Sequence, residues 1–497
     1  MREGHLAVQW HARIKIRDYA MATNKHTTQR LNGTRDLSPR EARRLAIIQT
    51  RLETFLDRRG YEVVSTPIME ATDLFLRKSG GELAAKMYSF TDPGGRKVSL
   101  RPEFTSSIVR AYVDGSFEAQ VPVRLQYCGT VFRHESGHLG PREFYQFGAE
   151  LIGAGGVAAD AESIAFAVQG INALGVGGHR LRISHIGLVN DLFVALEISH
   201  RARVFLMGQL AEMGKATNGL EAIRGKAAEM GILREQGRGD LTRLAQSLES
   251  ADAKEMVEGL LGDAVGGAMG QRTRDEVVFR YLRKLREAEK PPLIERAIQF
   301  AQDLVAIAEP FPRALPQLRT LLNKYSLDVA LLGPLEELER DLSAYDLGDV
   351  PVTVDFALAR GIAYYTGPIF EIEHGKGKSV ASLGGGGRYD GLVKALGGAS
   401  DVPALGFAYS IELLSELLPP EFGDEEDDLA TRVLVVAAEA TMEQAVATAE
   451  RLRQQGIPAE LDIVSRTEAD ASSYAQRRGI TTIMRVGSDG SNEEQEL

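Results

Sequence analysis

Strand-like runs crowd together in the first third of this chain. "KMYSFTD" (86–92) and "KVSLRPE" (97–103) are four residues apart, and "VPVRLQYCGTVFR" (121–133) and "REFYQFGAELIG" (142–153) are eight apart. A parallel pair needs a crossover of roughly a dozen residues or more, whereas an antiparallel pair closes through a short turn. The spacing therefore predicts an antiparallel sheet here rather than a doubly wound parallel one. Upstream, "YEVVSTPIM" (61–69) reads as a further strand. Before it, a helix is expected from Pro39 to about Arg59, where Leu45, Ile48, Leu52, Phe55 and Leu56 recur at helical spacing and Gly60 ends the run.

From about Ala158 to Asp346 the pattern is mostly helical, broken by the strand-like "HRLRISHIG" (179–187). Amphipathic stretches such as "DLTRLAQSLESADAKEMVEGLL" and "RDEVVFRYLRKLREAEK" read as surface helices of an insertion at about 200–345. Strands return at "VPVTVDFALARGIAYYTGPIFEIEHG" (350–375) and run to "PALGFAYSIELLSELL" (403–418). Two prolines and an acidic block then make a solvated linker over 419–431. Residues 432–485 alternate strand, helix and strand, a small α/β domain, and 486–497 read as a disordered tail. The basic, patternless residues 1–31 read as a disordered tail too, or as a start mis-assigned ahead of Met21.

Composition bounds the function. Of 497 residues, 44% are apolar and 26% charged, the balance of a soluble globular protein. No run of about 18 apolar residues occurs, which excludes a membrane-spanning helix. The single cysteine, Cys128, excludes an intrachain disulfide and a multi-cysteine zinc site, and fits a cytoplasmic protein. A formal net charge of −11 weighs against non-specific nucleic-acid binding, which rests on phosphate neutralisation.

Two motifs suggest chemistry and fail. "HESGH" (134–138) has the spacing of a zinc-protease helix, but Gly137, Gly140 and Pro141 break helices, so it reads as a loop between strands. "GKGKS" (375–379) lacks the earlier glycine of a phosphate loop, since Ile372 stands there, and reads as a hairpin turn. A third motif holds. "SLGGGGRYDG" (382–391) places four glycines before an arginine, a tyrosine and an aspartate. If it pairs with "ARGIAYYTGPIFEIE" around that turn, Arg360, Tyr364, Tyr365, Arg388, Tyr389 and Asp390 gather on one side of a sheet. Such a set suits a polar amino acid: its carboxylate to arginine, its amine to a carboxylate, its side chain to a phenol.

These residues resemble a known family. "RGIAYYTGPIFE" and "GGGGRYDGL" are similar to the two histidine-recognition signatures of histidyl-tRNA synthetase and its paralogues. "NGTRDL" resembles the family's opening motif, "STPIMEATDLF" motif 1 and "FRHESGHLGPREFYQFGAE" motif 2 of class II synthetases. "LRPEFT" resembles the segment that holds the histidine amine, and "PALGFAYSIELL" lies where motif 3 belongs. The resemblance runs from about Asn32 to Leu418 and is weaker beyond. It implies an α+β fold: a class II aminoacyl-tRNA synthetase-like antiparallel sheet flanked by helices, with a helical insertion and a small C-terminal α/β domain of degenerate anticodon-binding type. It implies a histidine site of Glu103, Thr105, Arg133, Gln146, Glu150, Arg360, Tyr364 and Tyr365, with Gly385, Gly386, Gly387 and Arg388 as its wall. It also implies a homodimer, through the helix and strand of motif 1.

Within the family, departures point first to the non-catalytic branch. Leu413 stands where motif 3 of a synthetase carries the arginine that grips ATP, and Ala363 replaces an aspartate of both branches. The motif 2 loop is shortened, and "GPREFYQFGAELIG" and "ISHIGLVNDLFVALEIS" resemble the regulatory paralogue more closely. Residues 432–497 hold seven arginines, no lysine and eleven acidic residues, a net of about −4 that suits an anticodon stem poorly. The expectation is therefore a regulatory, histidine-sensing subunit of ATP phosphoribosyltransferase in histidine biosynthesis. It would lack intrinsic catalysis and cofactor, take L-histidine as effector and associate with the short-form catalytic subunit. The alternative is histidyl-tRNA synthetase, with ATP, magnesium and tRNA. The C-terminal domain favours that alternative, because the enzyme needs one.

Overall fold

The computed structural model describes residues 29–77, 81–117, 120–134, 141–215, 219–233, 291–358, 365–375, 377, 380–423, 432–438, 441–488 and 491–497. The expected N-terminal tail up to residue 28, the insertion helices within 240–290, most of "HESGH" and "GKGKS", and residues 424–431 of the linker lie outside them. The chain forms two compact units, Met1–Leu418 and Pro419–Leu497.

The first unit holds twelve strands among the described residues: β1 (Glu62–Val63), β2 (Met69–Ala71), β3 (Ser89–Thr91), β4 (Lys97–Leu100), β5 (Val123–Phe132), β6 (Glu143–Ile152), β7 (His179–His185), β8 (Ala308–Glu309), β9 (Val352–Asp355), β10 (Pro368–His374), β11 (Ala381–Arg388) and β12 (Ala404–Ser410). Nine make one sheet in the order β1-β5-β6-β12-β11-β10-β7-β9-β8. Its central pairs, from β5·β6 to β10·β7, are all antiparallel. Parallel pairs occur towards the margins, β1 with β5 and β7 with β9. The closely spaced β2, β3 and β4 form a separate three-stranded sheet.

The first helix, α1 (Pro39–Asp57), starts where two local signals coincide. Pro39 has its φ preset for a first turn, and Ser38 and Glu41 form a reciprocal capping box, with Glu41 N–H donating to Ser38 Oγ and Ser38 N–H to Glu41 Oε2. The apolar stripe Leu45, Ile48, Leu52 and Leu56 is buried. α1 and α3 (Val157–Ala173) lie together against one face of the large sheet, where the Tyr409 hydroxyl of β12 donates to the Ala167 carbonyl. Between them in sequence, α2 (Thr105–Val113) packs on the opposite face with Phe104, Ile108 and Val109 against Leu125 and Tyr127 of β5. That second face carries the site.

In the second unit, β13 (Val433–Ala437), β14 (Ala459–Leu461), β15 (Thr482–Val486) and β16 (Asn492–Glu496) form a sheet in the order β14-β13-β15-β16. Val433 and Val435 pack towards the helix Met442–Gln454, whereas Leu434 and Val436 pack with Ala471 and Ala475 of the helix Glu468–Arg478. Burial on both faces explains why "VLVV" is continuously apolar. The expected disordered tail at 486–497 is corrected: Asn492–Glu496 is an antiparallel edge strand on β15. Its exposed, polar side chains offer no apolar alternation to read, and backbone pairing alone defines it. Among the described residues no helix is long and apolar enough to cross a membrane.

Glycines on the central strands are dictated by packing. A Cβ on Gly386 would lie 1.9 Å from the Gly406 carbonyl oxygen and 2.7 Å from Phe407 Cα. Gly208, mid-helix in His200–Lys215, has nothing within 4 Å of its Cβ position. Gly386→Ala should therefore destabilise the first unit by about 1–3 kcal/mol through overpacking, whereas Gly208→Ala should stabilise by roughly 0.5–1 kcal/mol. Urea titrations of the two variants check the opposite signs.

Candidate functional site

Residues directly opposed in an antiparallel pair share a face. The register therefore places Tyr127 and Gly129 of β5, Gln146, Gly148 and Glu150 of β6, Gly406 and Ala408 of β12, and Gly385 and Gly387 of β11 on one side. Four neighbouring strands thus offer a floor of five glycines and Ala408 from which only Tyr127, Gln146 and Glu150 project. The glycines make room for flat-lying side chains. A Cβ on Gly406 would meet Glu150 Oε2 at 1.8 Å, one on Gly148 would meet the Tyr127 hydroxyl at 2.4 Å, and one on Gly387 would meet Tyr365 Cδ1 at 2.9 Å.

The expected wall of Gly385, Gly386, Gly387 and Arg388 is corrected accordingly. Gly385 and Gly387 face the site, but Gly387 lies under Tyr365, and Gly386 belongs to the opposite face, against Phe407. Arg388 is buried and committed to protein partners: Nε donates to Asp160 Oδ1 at 2.8 Å, Nη1 to Asp390 Oδ1 at 3.1 Å and to the Ala154 carbonyl, and Nη2 to the Gly156 carbonyl. Asp390 is likewise engaged, its Oδ1 also accepting from Ala404 N–H at 2.9 Å.

Glu150 is the centre of the site. It is 1% exposed, and three hydroxyls converge on its carboxylate. Thr105 Oγ1 donates to Oε1 at 2.6 Å, the Tyr127 hydroxyl to Oε1 at 3.3 Å, and the Tyr389 hydroxyl to Oε2. Burial nevertheless raises its pKa to about 8, against the lowering effect of those donors. A carboxylate caged by donors but short of charge neutralisation is poised for a cation or a further N–H donor.

Glu103 lies just before α2, where its carboxylate accepts the Ser106 N–H. Burial pushes its pKa up, and the nearby Arg133 guanidinium pulls the other way. Arg133, just beyond β5, is anchored by Nε to the Pro102 carbonyl at 2.8 Å and lies over the Phe144 ring. Gln146 adds a buried Oε1 with no hydrogen-bond partner, on the face that carries Glu150. Six of the eight residues expected of the pocket are thus described on this side: Glu103, Thr105, Arg133, Gln146, Glu150 and Tyr365. Arg360 and Tyr364, with Ala363 between, lie outside the described residues.

Of the two tyrosines that hold Glu150, Tyr389 is in the set expected to gather around the glycine run, though not in the histidine site the resemblance implies, and Tyr127 is in neither. Tyr127 gives no local sign, because only the pairing of β5 with β6 puts it over Gly148.

Residues 33–265 and 261–414 match the family model described as Histidyl-tRNA synthetase. The chain belongs to the histidyl-tRNA synthetase family. The histidine–tRNA ligase of Methanocaldococcus jannaschii is 28% identical over 466 residues, 94% of this chain and 93% of that protein. That of Pyrococcus furiosus is 30% identical over 461 residues, 92% of this chain and 91% of that one. A solved structure titled "ATP phosphoribosyltransferase regulatory subunit/histidyl-tRNA synthetase" from Bacillus halodurans has a TM-score of 0.60 at 21% identity, covering 92% of this chain and 97% of that one, a likeness of fold. The sheet and its flanking helices are accordingly the class II synthetase fold.

The expectation of a regulatory subunit in histidine biosynthesis is overturned by these relatives. They carry the name histidine–tRNA ligase and are spanned almost end to end, C-terminal unit included. The names of these relatives lend no support to the expected catalytic-subunit partner. The sequence reading sets Leu413 and the acidic C-terminal unit against no more than the presence of a C-terminal domain. In the structure, Leu413 is buried in α4 (Ile411–Leu417), while the adjacent Glu412 accepts the Tyr145 N–H at 2.7 Å.

The raised Glu150 pKa has a signed consequence. Between its ordinary value of 4.5 and about 8, the folded chain holds a proton that the unfolded chain has released, so this group lowers stability progressively as pH rises through that window. Glu150→Gln removes the titration. The melting temperature of the variant relative to wild type should rise from pH 5 to pH 8.5 by calorimetry; a constant difference would contradict the assignment.

Proposed function

We propose that this chain is a histidine–tRNA ligase. The observation that carries the reading is the buried Glu150, held by Thr105, Tyr127 and Tyr389 on a glycine floor, within a chain that corresponds over nearly its whole length to histidine–tRNA ligases. The histidine imidazole would set an N–H on Glu150, and its ammonium would meet Glu103. Its carboxylate would point towards Arg133, which also limits charge repulsion as the phosphate of ATP approaches. Attack of that carboxylate on the α-phosphorus expels pyrophosphate and leaves a mixed anhydride of histidine with AMP. A ribose hydroxyl at the tRNA terminus then attacks the histidyl carbonyl, and AMP departs.

The protein's part in this is position and charge. Two carboxylates fix both nitrogen-bearing ends of the amino acid, so the reacting carboxylate is held at the mouth. Among the described residues no group of three or more His, Cys, Asp or Glu side chains is placed to hold a metal ion.

Leu413 has a defined effect in this scheme. A guanidinium at that position would add a charge-assisted contact to the phosphates, and losing one such donor costs about 100- to 1,000-fold in the transition state. Histidine-dependent exchange of pyrophosphate into ATP tests the proposal. Wild type should exchange above a no-histidine control, and Leu413→Arg should exchange faster with little change in histidine affinity. Absence of exchange in both, with histidine binding intact, would sink the ligase reading.

A further inference from the structure

Arg388 was expected to face the ligand, yet its bonds tie together the backbone segments around the site. It ends β11, is 7% exposed, and shares one guanidinium among four acceptors. Ala154, Gly156 and Asp160 belong to the turn and first helical turn that follow β6, the strand of Glu150. Asp390 flanks Tyr389 on its far side, and its N–H donates to Thr366 Oγ1 at 3.1 Å. Thr366 N–H in turn donates to the Arg388 carbonyl at 2.8 Å. The Arg388 stem runs over Gly367, where a Cβ would lie 2.9 Å from Arg388 Cδ. Three segments meet at this side chain, and each carries a residue of the site: Glu150, Tyr389 and Tyr365.

We propose that Arg388 is a positioning residue that holds the Tyr389 hydroxyl on Glu150, and so sets how tightly the site grips its amino acid without touching it. The inference rests on the histidine reading for the ligand alone. Arginine suits the task because its planar fork satisfies several acceptors at once, whereas a lysine ammonium could keep Asp160 but not the two carbonyls and Asp390 together. Burial makes the arrangement all-or-none. A shorter, uncharged side chain would leave Asp160 unpaired at 5% exposure, and the turn after β6 would have to shift.

The test is a double-mutant cycle on the full chain with two readouts. Calorimetry measures histidine affinity for wild type, Arg388→Gln, Tyr389→Phe and the double variant. Tyrosine ring-carbon NMR, with Tyr389 assigned by its loss in Tyr389→Phe, reports whether that phenol follows the titration of Glu150. Each single variant should weaken histidine about tenfold, and the double variant no further, because both remove one interaction. In Arg388→Gln the Tyr389 signal should cease to follow pH, and Arg388→Lys should restore part of the affinity. Independent effects that multiply to about a hundredfold, or a Tyr389 signal that still tracks pH in Arg388→Gln, would overturn the proposal. Should Arg388→Gln not fold, Asp160→Asn enters the same cycle from the other side of the ion pair. If wild type binds no histidine, the ligand reading fails, and the NMR arm alone still decides the role of Arg388.

Discussion

A carboxylate buried in the middle of a sheet is the constraint around which this molecule is arranged. Glu150 cannot be hydrated, so its oxygens must be met by protein donors. Three hydroxyls from three places in the chain, Thr105, Tyr127 and Tyr389, meet them. For the side chain to lie where those donors converge, the strand beside it must lack a Cβ, and Gly406 supplies that gap. For Tyr127 and Tyr365 to lie over the sheet, Gly148 and Gly387 must be bare as well. The glycine-rich strands and the buried acid are one design, and neither makes sense without the other.

The burial energy left uncompensated by those hydroxyls is what gives the site its chemistry. A carboxyl held near 8 by its surroundings gains more from an incoming N–H or positive group than an exposed carboxylate would. Glu103 repeats the theme at a second point, with Arg133 close enough to temper it. Under the proposed function, these two acids and Arg133 would read a ligand that carries a basic side chain, an ammonium and a carboxylate. Nearby, the ion pair of Arg388 with Asp160 and its bonds to the Ala154 and Gly156 carbonyls tie the end of β11 to the segment that follows β6.

Local chemistry made part of this legible from sequence. Pro39 after Ser38, with the stripe from Leu45 to Leu56, marks α1 without reference to the rest of the chain. Runs of alternating apolar residues mark β5, β6 and β10, and the turn between β10 and β11 marks their pairing. The pocket acids were readable because they sit in motifs. Long-range register was not readable. Which face Gly386 occupies, and which strand Tyr127 leans over, depend on pairings set by the whole sheet. Arg388 finds Asp160 across 228 positions, so no local pattern shows that its charge is already spent. The edge strand Asn492–Glu496 escaped because its side chains carry no apolar signal. The branch of the family was misread for a different reason: local departures such as Leu413 and the short motif 2 loop point one way, while the correspondence to ligases lies in the length of the whole chain.

The most direct measurement is the attachment of radiolabelled histidine to a histidine tRNA transcript by the purified full-length chain with ATP. The expected result is acid-precipitable histidine that accumulates with time, requires ATP, and is abolished by Glu150→Ala. Histidine binding without any accumulation, at a protein concentration matching that of the transcript, would contradict the account.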